Sequence, residues 1–383
     1  MKILIFSASY SPVLGGLQTV VQNLAQQLLR ESHQVQVVTT RYPRQLPRQE
    51  HINGVTVTRM FFMQPNMEYI RRKRPDLALA SLYTYQATLR DLSQLMRRYQ
   101  PEVINVHFPD QQIPFVLWLR RQFRFRLVVS LHGHEVLRWH DGSSADGPHM
   151  LRRILREANA VTACSQCLLD HATALEPAIS GKGHVIYNGI DLKRFADQSR
   201  YRHPRPYILA YGRLIPKKGF ALLLEAFAQI ATRYPEHDLL LAGEGEQRVE
   251  LEQLSSQLGL AERVHFYGRA SQTELVHLLN ACTLLVVPSR EEPFGIVALE
   301  GMAAGKPVLA TRVGGLPELL PSPPNRLVEP TIEGLVGGLH SFLNETANNT
   351  VLAQINRELA QNYSWEQVTQ KYMASYMQAT AAP

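Results

Sequence analysis

The sequence predicts an α/β protein built as two doubly wound, Rossmann-like domains. Three observations carry that prediction. The chain has 383 residues, long for one hydrophobic core and suited to two of ordinary size. Short apolar runs with the length and β-branching of buried strands alternate with stretches whose apolar residues recur at helical spacing. Several of these runs stop at a glycine-bearing or charged loop, the position at which open parallel sheets bind ligands.

In chain order, Ile3 to Phe6 form the first strand, followed by the loop S-A-S-Y-S-P-V-L-G-G. Val20, Val21, Leu24 and Leu28 then share a helical face, and Val35, Val37 and Val38 make the second strand. Gly15 and Gly16 sit between strand and helix, where the lack of a Cβ lets backbone N–H groups approach an oxyanion. They stand side by side, without the G-x-G-x-x-G of a dinucleotide site, so a nicotinamide dehydrogenase is disfavoured. Taken alone, a Gly-Gly turn is more often structural than functional. Val55 to Met63, Val103 to His107 and Leu127 to Leu131 read as further strands, the last running into S-L-H-G-H-E. His132 at that strand end is placed for a ligand, whereas H-x-H-E lacks the helical pairing of a zinc protease, and the roles of His134 and Glu135 stay open. Val161 to Ala163 end a strand ahead of a Ser165 helix cap. Cys164 and Cys167 have no second ligand pair for zinc, so both thiols are expected to be buried. V-I-Y-N-G-I-D, with a turn at Asn188-Gly189, closes the half. Lys193 to Pro206 carry charge, two prolines and no apolar periodicity, which sets the domains at 1–195, joined by a final helix 364–383, and 196–363.

The second half opens with a strand, Ile208 to Tyr211, and the loop G-R-L-I-P-K-K-G. Arg213 can clamp a diphosphate bidentately and Lys218 can add a mobile point charge, with Lys217 one residue away as a competitor. A helix from Ala221 to Tyr234, the strand L-L-L-A, the loop G-E-G-E, a helix around Val249 to Leu258, the strand V-H-F-Y-G and a helix from Ser271 follow. Leu284 to Val287 form a short strand halted by Pro288; after Glu291 and Glu292 come Pro293, Phe294, Gly295 and helix formers to Ala304, with Gly305 as the cap. A helix starting near Gly295 holds Glu300 about one and a half turns in, on the face leading back to Glu292. Two carboxylates beside a helix N-terminus suit a polyhydroxylated, phosphorylated ligand such as a sugar nucleotide, although spacing alone more often describes two solvated acids.

The string S-R-E-E-P-F-G-I-V-A-L-E-G-M-A-A-G-K-P-V closely resembles the donor-site signature of retaining glycosyltransferases of the glycogen-synthase-like group, family four, which have the GT-B fold and a Glu-x7-Glu motif. The resemblance covers nearly the whole chain, dense after Arg213 and sparse from Gln64 to Arg126. It implies two domains facing across a cleft, with the closing helix crossing back onto the first. It implies that Arg213 and Lys218 hold the donor diphosphate and that Gly15 and Gly16 meet diphosphate and acceptor. His132 would face the transferred sugar, and Asn188 would belong to the Asn-Gly-x-Asp string before the linker. Gly268 and Arg269 would border the base, Glu300 would accept from the ribose hydroxyls, and Glu292 with the amides of Phe294 and Gly295 would orient the hexose. Ile296 and Val297, at the start of the same helix, count with the donor site. Glu292 would therefore hold the sugar's remote hydroxyls and not attack the anomeric carbon; retention would come from same-face attack assisted by the leaving phosphate.

The implied activity is hexosyl transfer from a UDP-, GDP- or ADP-linked sugar to a hydroxyl of a glycan, lipid or small molecule. No Asp-x-Asp motif is present, so no metal and no cofactor is expected. An epimerase, a phosphorylase and a catalytically silent assembly protein are the alternatives. Charge points to the acceptor side. Up to Phe195 the chain has 24 basic and 14 acidic residues, and beyond it 16 and 19; residues 59–126 alone hold 12 and 5. Basic residues there alternate with Phe, Trp, Leu and Met, which fits either an anionic membrane surface or a solvated basic face, and fits nucleic acid poorly. With no apolar run of the ~18 residues that a span requires and no signal-like start, a cytoplasmic protein is expected, peripheral at the inner membrane face if that surface binds lipid.

Overall fold

The computed structural model of the chain describes residues 1–12, 16–66, 68–138, 148–344 and 349–378. It has the expected α/β class and forms two units, Met1–Tyr187 with Trp365–Pro383, and Asn188–Ser364. The first holds an eight-stranded sheet in the order β3-β4-β2-β1-β5-β6-β7-β8. Its strands are β1 Lys2–Ser7, β2 Gln34–Thr40, β3 Gln49–Ile52, β4 Val55–Met60, β5 Val103–His107, β6 Arg126–Leu131, β7 Ala160–Ala163 and β8 Gly183–Val185. All neighbours run parallel except β3 and β4. Ile3, Leu4, Ile5 and Phe6 of β1 are fully buried, as a central parallel strand covered on both faces requires. The edge strand β3 is polar, Q-E-H-I, and carries no apolar run by which sequence could reveal it.

The second unit holds a six-stranded parallel sheet in the order β11-β10-β9-β12-β13-β14. These are β9 Tyr207–Tyr211, β10 Asp238–Ala242, β11 Val264–Gly268, β12 Leu284–Val287, β13 Val308–Thr311 and β14 Arg326–Val328. Its core is built from Ile208, Phe220, Phe227, Leu241, Val286 and Leu309 among others. In each sheet the winding direction reverses once, between β1 and β5 and between β9 and β12. Open α/β sheets bind ligands outside the carboxyl ends of the strands at such a reversal.

The last helix, Trp365–Gln378, belongs to the first unit. Asn105 of β5 donates its amide to the Tyr376 hydroxyl at 2.9 Å, and Arg126 donates to the Tyr376 carbonyl at 2.9 Å. The unit boundary falls between Tyr187 and Asn188 instead of at 195/196. Long-range contacts draw the intervening residues into the second unit: Ile190 donates to the Tyr363 carbonyl at 2.8 Å and bridges Ser364. Asn188-Gly189 is not a turn, and Asn188 is buried. Cys164 is buried as expected, whereas Cys167 is partly exposed, with its sulfur 3.7 Å from Nδ1 of His171. Among the described residues no helix is long and apolar enough to cross a membrane.

Candidate functional site

In the second unit the reversal point brings together two of the loops singled out in the sequence. The loop after β9 is a short 3-10 turn, Pro216–Lys218, ended by Gly219 in the left-handed region at φ 69°. A Cβ on Gly219 would stand 1.9 Å from the Pro288 carbonyl oxygen, so only glycine lets this loop lie against the one after β12. The Lys217 carbonyl also accepts from the Arg290 amide at 2.8 Å. With the two loops locked, Lys218 Nζ reaches Glu292 Oε2 at 2.5 Å and Ser289 donates to the same oxygen at 3.3 Å. Glu292 is 8 % exposed. Lys217 does not compete for that partner: it pairs with Glu291 at 3.1 Å, nearer to solvent.

Gly295, with φ 108°, caps the helix Ile296–Ala303. Phe294 is buried and packs near Tyr363, and Ile296 and Val297 are half-buried in the first turn. Glu300, in the middle of that helix, accepts from the Tyr211 hydroxyl at 2.6 Å and faces Arg194 at 3.6 Å. Burial raises the Glu300 carboxyl above its ordinary value, and Tyr211 and Arg194 offset part of that rise. Glu292 and Glu300 thus converge on β9, one through the loop that follows it and the other through its last residue. Arg213 is exposed on that loop. Gly268 ends β11 at φ 81° with its carbonyl taking the Gly243 amide at 2.7 Å, and Arg269 beside it is exposed.

In the first unit Gly15 lies outside the described residues and Gly16 opens the helix Gly16–Arg30. His132, just past β6, stacks on Phe108 with ring centroids 4.2 Å apart. Its Nε2 lies 3.0 Å from Nδ1 of His107, a buried imidazole held well below its ordinary pKa, first by desolvation and then by His132 itself. Glu135 is buried, and one of its oxygens accepts the backbone amides of His132 and Gly133, which shapes the loop that presents His132. The open question over Glu135 thus has a structural answer.

One other cluster among the described residues has metal-ligand spacing: His203, Asp238 and His265. It sits at the amino end of β10, away from the reversal point, and the Asp238 carboxylate already meets Arg263 at 3.1 Å and Arg205 at 3.4 Å. Sequence reasoning missed Tyr211, Arg194, Ser289 and His107. Tyr211 offered a signal, a hydroxyl closing an apolar strand at its carboxyl end. Arg194 offered none, lying in a segment without periodicity.

Known proteins match both halves. A family model described as Glycosyltransferase Family 4 matches residues 14–194, and one described as Glycosyl transferases group 1 matches 193–359. An uncharacterized glycosyltransferase of Methanocaldococcus jannaschii, MJ1607, is 30% identical, covering 98% of this chain and 98% of its own. Glycogen synthase of Mycobacterium tuberculosis is 28% identical, covering 99% and 95%. Among solved structures, sucrose-phosphate synthase from Thermosynechococcus elongatus superposes with a TM-score of 0.78 at 25% identity, covering 98% of each chain. Anabaena HepE in complex with UDP and glucose superposes with 0.77 at 22%, covering 98% and 99%. The chain belongs to the family-four-like glycosyltransferases of the GT-B fold.

Proposed function

We propose that the protein is a retaining, metal-independent hexosyltransferase that moves a sugar from a nucleoside diphosphate to a hydroxyl on a lipid or lipid-linked glycan. One observation carries the donor assignment: Lys218 and Glu292, from loops far apart in sequence, meet as a largely buried ion pair at the reversal point, with Glu300 behind them. A cation held ready on a carboxylate can turn to an incoming diphosphate without being drawn from bulk water. Lys218 and Arg213 then hold the charge that gathers on the departing phosphate, helped by the N–H groups at the start of the Ile296–Ala303 helix. Glu292 is left to accept from the hexose hydroxyls, and Glu300 from the ribose. HepE, whose structure contains UDP and glucose, supports a nucleotide sugar of this kind as donor. Because the chain brings its own cations to the diphosphate, no metal enters the scheme.

The test is a thermal-shift panel of UDP-, GDP- and ADP-sugars, in which the cognate donor at a hundred times its Kd adds ~2.7 kcal/mol of stability. It is followed by assignment of the product's anomeric configuration and by assay in EDTA. A panel without response removes the donor reading; inverted product removes retention; activity lost in EDTA and restored by magnesium or manganese removes metal independence.

A further inference from the structure

We infer that the amino-terminal part of the long helix Pro75–Tyr99, with the basic turn before it, is a docking face for an anionic lipid bilayer. The inference rests on the proposed lipid acceptor only for its purpose; its evidence is independent. Residues 59–126 do not form one amphipathic surface. Val116, Leu117, Leu119 and Phe125 of the V-L-W-L-R-R-Q-F-R-F segment are buried, as is Phe115 just before it, and Trp118 and Phe123 are half-buried, so the segment's apolar residues largely serve the core. The exposed apolar side chains are elsewhere. Among the described residues, Tyr42, Met63, Leu77, Leu79, Leu82 and Tyr83 are six of the nine large hydrophobics left exposed, with Leu79 and Tyr83 at 68% and 74%.

Helical geometry explains the arrangement. Ala78, Ser81, Thr88, Leu92 and Tyr99 form the buried stripe of the helix. Leu79 and Tyr83, one turn apart, project from roughly the opposite side, with Leu82 beside them. Tyr42 and Met63 lie on the segments that leave β2 and β4, and the second of these segments is tied to the helix: Asn66 donates to Ser81 Oγ at 3.1 Å and Thr88 donates to the Phe61 carbonyl at 3.0 Å. The exposed apolar groups therefore collect at one end of the sheet. Arg71, Arg72, Lys73 and Arg74 directly precede the helix, all exposed, with Glu68 and Asp76 answering Arg72 and Arg74.

Apolar tips flanked by a run of cations fit an interface in which rings enter the headgroup region and cations stay at the phosphates. A second copy of the chain fits less well, because a two-fold contact centred here would bring this basic run against its own copy.

The experiment is co-sedimentation with phosphatidylcholine vesicles with and without phosphatidylglycerol, at low and high salt, using wild type, Leu79→Glu/Tyr83→Glu and Arg71→Glu/Lys73→Glu. Wild type is expected to pellet with anionic vesicles only and to be released by salt, and each double variant to bind at least tenfold more weakly with its melting temperature and nucleotide-sugar shift unchanged. Wild type remaining in the supernatant, variants that bind like wild type, or a wild-type dimer that Leu79→Glu/Tyr83→Glu dissociates would each overturn the docking face. Loss of the nucleotide-sugar shift with vesicle binding intact would instead remove the donor assignment and leave the docking face standing.

Discussion

The carboxyl ends of the two sheets are wired differently. In the second unit each carboxylate at the reversal point has its own cation: Glu291 has Lys217, Glu292 has Lys218 and Glu300 has Arg194. In the first unit the strand ends carry a stack of rings, His107, His132 and Phe108, with the His107 imidazole held well below its ordinary pKa by burial, and the carboxylate beside them, Glu135, is occupied by backbone amides. Paired charges suit a polyanion, since the cations can exchange one anionic partner for another inside a site already arranged for charge. A stack of rings suits an uncharged ligand surface such as that of a sugar. Two units built on the same winding of strands and helices thus carry different electrostatics at their strand ends.

Mutations test this division most sharply where charge is buried. Lys218→Ala and Glu292→Ala are each expected to lower kcat/KM by at least ~10²-fold, about 2.7 kcal/mol, because the first removes the proposed diphosphate contact and the second the proposed hexose contact; wild-type turnover in steady-state assays would refute that assignment. His132→Ala is expected to cut kcat by ~10-fold or more while the thermal shift with the free nucleoside diphosphate, which lacks the sugar, stays at its wild-type value. Were that shift lost as well, the two halves would not be separable.

Glu300→Gln sharpens the contrast through pH. A carboxyl raised by burial penalises the folded state once pH exceeds the ordinary carboxylate value, and the penalty grows up to the raised value. The variant is therefore expected to melt higher than wild type at neutral pH, to lose that advantage near pH 4, and to show a smaller nucleotide-sugar shift. A variant that melts lower at neutral pH would mean that the Arg194 and Tyr211 contacts outweigh the burial. The smallest effect is assigned to Lys217→Ala: its pair with Glu291 is partly exposed and worth ~0–1 kcal/mol, so kcat/KM should stay within about threefold of wild type. A loss matching that of Lys218→Ala would exchange the roles of the two lysines.

The sequence placed Glu292, Gly295 and Glu300 on one loop and helix because those signals are local. A strand, a loop carrying acids and a helix opened by glycine lie within one continuous segment, and Gly295, Glu300 and Gly305 sit where the helix geometry requires. The misses have long-range causes. Arg194 is near Glu300 only because Asn188 to Ala196 fold onto the second unit, held in part by the Ile190–Tyr363 hydrogen bond. The same contact lies within the unit that begins at Asn188. The basic segment showed its composition but not its orientation: Phe115 and Phe125 turn inward while Leu79 and Tyr83 turn out, and only the packing of each helix decides which. Strand β3 escaped notice because an exposed antiparallel edge needs no apolar run.

The return of the Trp365–Gln378 helix to β5 and β6 reverses the order in which the halves can be finished. The Tyr376 contacts with Asn105 and Arg126 join residues made early to residues made after the entire second unit. During translation the second unit can close while the first still waits for its last helix. A frameshift or premature stop beyond Ser364 would therefore damage the remote half and spare the adjacent one.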